Sequence, residues 1–285
     1  MNEKYALDPE SIENYRDLKY VVEKFGFTEG RFLLRYPKYW RRILYDHLIE
    51  RKVPDNQIKA ISEVLEKSMQ DFMRSKLEYT QSRTWADNAI SQKFQGNIKD
   101  VIGSAKESMI DFDDIDRGLA DSRGVTVQAT AENLVLAAEP LLQVSEEIFI
   151  VDPYLSLGNR SYLEFIKEII KKTSSQKVSI KMFSRAEEFR CKKRPKQIAE
   201  EELSRFLHST QEITFTSLND SNDMHDRYLF SLKGALKYSK GFRVSEKYVE
   251  IETVSKTNHQ RYVELYIEKQ HTFAIEDNFV VRAKK

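Results

Sequence analysis

The chain has 285 residues, long enough for two domains of ordinary size. Its 40% hydrophobic and 11% aromatic content supplies a packed core and argues against wholesale disorder. A net charge of +1 excludes a global nucleic-acid or membrane signature, and the single Cys191 excludes an intramolecular disulfide or a Cys-rich zinc site.

The N-terminus is charged and lacks an apolar signal core, and no apolar run approaches a membrane span. That predicts a cytosolic protein with no transmembrane segment. Residues 1–124 read as an all-helical domain. Asp8-Pro9 offers an N-cap with proline at the first helical position, and Ile12, Tyr15, Leu18, Val21, Val22 and Phe25 recur at helical spacing up to Gly26. Tyr36, Tyr39, Trp40, Ile43, Leu44, His47 and Leu48 predict a second amphipathic helix, with His47 a hydrogen-bonded core histidine. Ile58 to Met73 predict a third helix, and Thr84 to Phe94 a fourth. Arg31, Arg35, Lys38, Arg41 and Arg42 surround Tyr36, Tyr39 and Trp40. Either these cations grip a nucleic-acid backbone, or they are the solvated face of a helix whose aromatics are core.

From Lys106 to Arg123 periodicity stops, and Asp111, Asp113, Asp114 and Asp116 crowd together without the glycine and terminal glutamate of a calcium loop. This stretch predicts a solvated linker and a domain boundary, with no metal and no cofactor. Residues 125–285 alternate strand and helix, an α/β order. Thr130 caps a helix that bends or ends near Pro140, and Ile148 to Val151 read as a strand buried on both faces. A helix over Tyr162 to Ile170, a strand over Val178 to Met182, a helix over Lys196 to Leu207 and a strand around Ile213 and Phe215 follow. Gly234 allows a tight hairpin into Leu236 to Tyr238, and Asn258 caps a late helix.

The chemistry concentrates at Asp223-Met224-His225-Asp226-Arg227-Tyr228-Leu229-Phe230, followed by Gly234 and Ser239-Lys240-Gly241-Phe242. His225 and Arg227, two apart at the opening of a strand, share one face. An imidazole beside a guanidinium suits phosphate handling: one attacks phosphorus or moves a proton, the other pairs with phosphate oxygens. The same residues also fit a strand start paired with Asp223 or Asp226. Arg185, Arg190, Lys192, Lys193, Arg194 and Lys196 form a local basic patch, or an ordinary solvated loop. Asp152 follows the first strand, as a partner for Arg227 or His225 or as a plain turn with Pro153.

His225-Asp226-Arg227, Leu229-Phe230, Gly234 and Lys240-Gly241-Phe242 together resemble the signature of phospholipase D-like domains. The pattern looks most like the branch found at the C-terminus of MIT-domain proteins and in bacterial relatives. Glu147 to Leu155, with its Asp-Pro-Tyr exit, resembles that branch's first core strand. The resemblance implies a phospholipase D-like α/β sandwich over residues 125–285. It places His225 at the nucleophile position, Arg227 where the family has lysine, and Leu232 where it has a supporting aspartate. No second His-x-Lys motif exists among His208, His259 and His271, so catalysis would need a homodimer.

Three readings follow. In the first, a degenerate module binds a phosphate-rich partner, nucleic acid above others, through Arg227, Lys240, Arg190, Lys192, Lys193 and Arg194, with Asp152 and Asp226 supporting. The second is a dimeric, metal-independent phosphodiesterase or nuclease using His225 and Arg227. The third is a lipid-headgroup or protein-docking module, although residues 1–124 do not resemble an MIT domain. The bacterial relatives imply an antiphage defence system with further protein partners.

Overall fold

A computed structural model describes residues 1–68, 72–104, 106–119, 121–173, 178–189, 194–219, 224–268 and 274–284. The chain divides into two compact units, Met1–Arg123 and Gly124–Lys285.

The first unit is not all-helical. It opens on strand β1 (Glu3–Leu7) and continues through α1 (Tyr15–Val22), β2 (Arg31–Arg35), α2 (Trp40–Glu50) and α3 (Asp55–Ser68). Then come β3 (Phe72–Arg74), α4 (Trp85–Phe94), β4 (Asp100–Ile102) and the single turn α5 (Ile115–Gly118). The four strands form a sheet in the order β3-β2-β1-β4, with every pairing parallel. One face packs Tyr5, Leu7, Leu33 and Phe72 against Leu18, Trp40, Leu44 and Leu65 of α1, α2 and α3. The other packs Ala6, Leu34 and Val101 against Trp85 and Ala89 of α4. Helices on both faces bury these short parallel strands, so they show no polar alternation in the sequence.

Local signals shift accordingly. Asp8 caps only a short turn at Pro9–Ser11, and Asn14 caps α1 with a reciprocal bond to Asp17. The tail assigned to the third helix, Phe72 and Met73, is β3. Thr84 does cap α4. The aspartate-rich stretch is no free linker, because Phe112 and Ile115 are buried in the core of the first unit. Trp40 donates to the Leu7 carbonyl at 2.6 Å and Trp85 to that of Tyr36 at 3.0 Å, so both indoles are satisfied inside this unit. The Nε2 atom of His47 is buried and has no hydrogen-bond partner among the described residues.

The second unit comprises β5 (Gly124–Gln128), α6 (Ala131–Val144), β6 (Glu147–Val151), α7 (Arg160–Thr173), β7 (Ser179–Arg185), α8 (Ala186–Phe189) and α9 (Pro195–Leu203). After these come β8 (Glu212–Asn219), β9 (Tyr228–Ser231), β10 (Gly234–Tyr238), β11 (Tyr248–Thr253), α10 (Lys256–Tyr262) and β12 (Ala274–Arg282). Its eight strands lie in the order β12-β8-β7-β6-β9-β10-β11-β5. Strands β6, β7 and β8 run parallel, and the flanking pairings are antiparallel. Pro140 lies within α6 without ending it, and Ser255 rather than Asn258 caps α10. On one sheet face Phe149, Tyr228 and Phe230 pack on Tyr262 and Tyr266. On the other, the Tyr238 hydroxyl donates to the Leu134 carbonyl of α6, and Phe165 of α7 stacks on Phe242 at 4.6 Å. That stack fixes the turn after β10 beneath the end of β6. Among the described residues no helix is long and apolar enough to cross a membrane.

Candidate phosphate-binding site

Register brings the site together. Strand β9 is antiparallel to β6 with Val151 opposite Tyr228, so one step further Asp152 lies opposite Arg227. Strand β10 continues the ladder through the Tyr238 amide, which donates to the Arg227 carbonyl at 2.9 Å. The site therefore sits at the carboxyl ends of the parallel strands β6 and β7, where α/β sheets tend to hold ligands.

Asp152 is fully buried. Its carboxylate accepts from the Tyr154 amide at 2.9 Å and from the Phe242 amide at 3.2 Å, tying the exit of β6 to the turn after β10. The Arg227 Nε stands 3.9 Å from the same carboxylate, and its Nη1 donates to the Ser239 carbonyl at 3.3 Å. Gly241 makes this closeness possible. Its φ is +74°, and a Cβ there would fall 2.5 Å from Asp152 Oδ2 and 2.9 Å from Arg227 Cδ. The Arg227 guanidinium lies 4.9 Å from the ring centre of Tyr154, and that of Arg185 lies 5.4 Å from it. Arg185 is held from below by a 2.9 Å bond from Nη2 to the Met224 carbonyl. The Tyr154 ring is 40% exposed. Two guanidiniums thus flank one accessible aromatic ring, with a buried carboxylate behind them.

His225, Asp226 and Lys240 have other surroundings. Residues 224–227 are irregular and β9 starts at Tyr228, so His225 and Arg227 do not share a strand face. His225 is exposed and lines a cleft of about 670 Å³ with Asp226, Tyr228, Lys237 and Arg261, a cleft that Arg227 does not line. The hydrogen bonds of Asp226 go to other partners. It accepts from the Tyr228 hydroxyl at 2.5 Å and pairs with Lys237 at 3.0 Å. Burial alone would raise its pKa, but those two partners outweigh burial and hold it below the usual carboxylate range. Lys240 is exposed and donates to the Tyr248 carbonyl at 3.0 Å. Arg194 is exposed at the residue preceding α9. Arg190, Lys192, Lys193, Cys191, Asp223 and His271 lie outside the described residues. Among the described residues no group of three His, Cys, Asp or Glu side chains is arranged to hold a metal ion.

No motif in the sequence pairs Tyr154 with Arg185. The Asp-Pro-Tyr exit of β6 and the arginine at the end of β7 were the available signal, because parallel neighbours end at the same edge.

No family model matches the sequence. No curated protein matches it either. Among solved structures, the chain has a distant likeness to Nuc, a phospholipase D family member from Salmonella typhimurium. That match has 9% identity and a TM-score of 0.35, covering 54% of this chain and 95% of that one. A second likeness is to TrmBL2, an archaeal chromatin protein described with a novel mode of DNA binding, at 14% identity and a TM-score of 0.32. It covers 74% of this chain and 70% of that one. At these scores neither likeness bears on function.

Proposed function

We propose that residues 124–285 form a phospholipase D-like module that binds a phosphate-rich partner, nucleic acid by class, without cutting it. The observation that carries this reading is the pair of guanidiniums, Arg185 and Arg227, beside the exposed Tyr154 ring. Guanidiniums take phosphate oxygens in pairs, and the Tyr154 ring holds these two together at an exposed surface. The net charge of +1 makes such a local cluster the means of holding a polyanion.

Binding is favoured over hydrolysis for two reasons. His225 opens on a cleft whose lining does not include Arg227, and the sequence holds no second His-x-Lys motif to supply an acid. Leu232, at the position where the resembled family has its supporting aspartate, sits 63% exposed at the tip of the β9–β10 hairpin. Hydrolysis would require a second copy of the chain to complete the site.

Fluorescence anisotropy with a labelled oligonucleotide tests the reading. Arg227→Ala should weaken binding by about tenfold or more, since a charge-assisted contact is worth ~1.5–3 kcal/mol. Raising salt should weaken the wild type steeply, and His225→Ala should leave affinity unchanged. Metal-independent cleavage that disappears in His225→Ala would overturn the binding-only reading.

A further inference from the structure

The first unit carries a separate group of arginines that the reading above does not use. Arg35 ends β2 and Arg74 ends β3, and the two are register neighbours on parallel strands, about 4.8 Å apart at the backbone. Leu33 and Phe72, two residues earlier on each strand, belong to the core under α1, α2 and α3, so alternation puts both arginines on that face. Arg41 joins them from the first turn of α2, which follows β2 after four residues. Its guanidinium lies 5.4 Å over the Tyr45 ring and donates to the Tyr45 hydroxyl at 3.2 Å.

These like charges press on one another. Burial, and then the charges of Arg74 and Arg41, push the Arg35 guanidinium below its ordinary range. Among the described residues neither Arg41 nor Arg74 forms an ion pair with a carboxylate. The first turn of α2 carries no acid, and its N-cap Tyr39 makes no side-chain bond to the helix amides. The positive end of that helix therefore adds to the field of the arginines. Two residues before Arg41, at the N-cap of the same helix, the Tyr39 ring is 42% exposed, its centre 5.8 Å from that of Tyr79.

We infer that the carboxyl edge of β2 and β3 is a second anion site, which takes the adjacent phosphates of a nucleoside polyphosphate and rests its base on Tyr39. A long polyanion fits this edge poorly. The neighbouring strand β1 runs into Asp8 and Glu10, which with Glu13, Asp17 and Asp113 line a separate acidic cleft of about 420 Å³. The basic patch is compact and bounded by negative charge, which suits a short ligand of high charge density. The site lies wholly in the first unit, so it stands or falls separately from the reading of Arg227.

The test uses the full chain, with ribose-labelled ATP followed by anisotropy and inorganic triphosphate as competitor. The wild type should bind ATP saturably, and triphosphate should displace it. Arg41→Ala and Arg74→Ala should each weaken both ligands about tenfold. Tyr39→Ala should weaken ATP and leave triphosphate unchanged. Because like charges repel, Arg74→Ala should unfold at the same or a higher temperature without ligand, yet lose the ATP-induced rise in Tm. A drop in ligand-free Tm would mark Arg74 as structural and overturn the inference. So would saturable binding that persists in the Arg41→Ala/Arg74→Ala double variant, absence of binding at millimolar ATP, or displacement by an oligonucleotide but not by triphosphate. Arg227→Ala should leave ATP binding intact, which separates failure here from failure of the reading of the second unit.

Discussion

Both units set arginines at the carboxyl ends of parallel strands, but they restrain them in opposite ways. In the second unit Arg227 leans toward the buried carboxylate of Asp152 and is fixed through the Ser239 carbonyl. That carboxylate is itself anchored by two backbone amides. In the first unit the charges of Arg74 and Arg41 bear on Arg35, and the nearest strand-end carboxylate, Asp8, caps its own turn. The contrast separates two designs. A guanidinium with an anchored counter-charge is positioned before any ligand arrives and gives up part of its field. A cluster of mutually repelling guanidiniums keeps its full field and gains stability only when an anion binds.

The two tryptophans, Trp40 and Trp85, both lie in the first unit, so indole fluorescence reports its unfolding while circular dichroism reports both units. The largest effect should come from Asp152→Ala. It strands the amides of Tyr154 and Phe242 and leaves Arg227 without its counter-charge, at a cost of about 3–5 kcal/mol. The dichroism transition should fall while the fluorescence transition stays in place. Joint movement of the two would break the comparison.

Next in size is Asp8→Asn. Burial raises the Asp8 carboxyl from 3.8 to about 6, because the bond it accepts from the Glu10 amide does not offset desolvation. A folded pKa above the unfolded one means the acid form is favoured by folding. Stability from this group is therefore complete below about pH 4 and declines as pH rises through about 6, by roughly 3 kcal/mol. Asparagine keeps the capping acceptor without the charge. Asp8→Asn should thus exceed the wild type by up to roughly 3 kcal/mol in fluorescence-detected unfolding at pH 8 and match it at pH 4. A gap that does not change with pH would remove the contrast with Asp152.

The smallest effect belongs to Lys237→Ala. The Lys237–Asp226 pair is nearly half exposed on both sides, so its loss should cost under about 1 kcal/mol in urea unfolding. A larger cost would mean that the cleft beside His225 depends on this pair in a way the Arg227 site does not.

What the sequence revealed follows burial geometry. Helix α7 was legible because Tyr162, Leu163, Phe165, Ile166, Ile169 and Ile170 keep one buried stripe, and β6 because Ile148 to Val151 form an unbroken apolar run. Strands β2 and β3 were not, since Arg31-Phe32-Leu33-Leu34-Arg35 and Phe72-Met73-Arg74 are too short to be told from helix by period. Strands β5, β11 and β12 also went unread. β5 and β12 are edge strands, exposed along most of their length, and β11 lies between β10 and the distant β5 with only Val249 and Ile251 buried. At the site, Asp152 and Arg227 were visible as types, but their meeting depends on the β6–β9 register. The aromatics among the basic residues of the first unit split both ways: Tyr36 and Trp40 are core, while Tyr39 is exposed.

The strand order also sets a timetable for synthesis. The sheet of the first unit has all its strands once Ile102 has been made. The sheet of the second unit cannot fill in that way. Its first strand, β5, has only β11 as neighbour, and the outer edge of β8 has only β12. A nascent chain that has reached Thr253 therefore holds β8 with one side unpaired, and Phe215 still lacks Phe279, the ring it stacks on at 5.2 Å. Vectorial folding should leave the first unit closed while the second waits, an open strand edge in the meantime inviting chaperones or a second nascent chain.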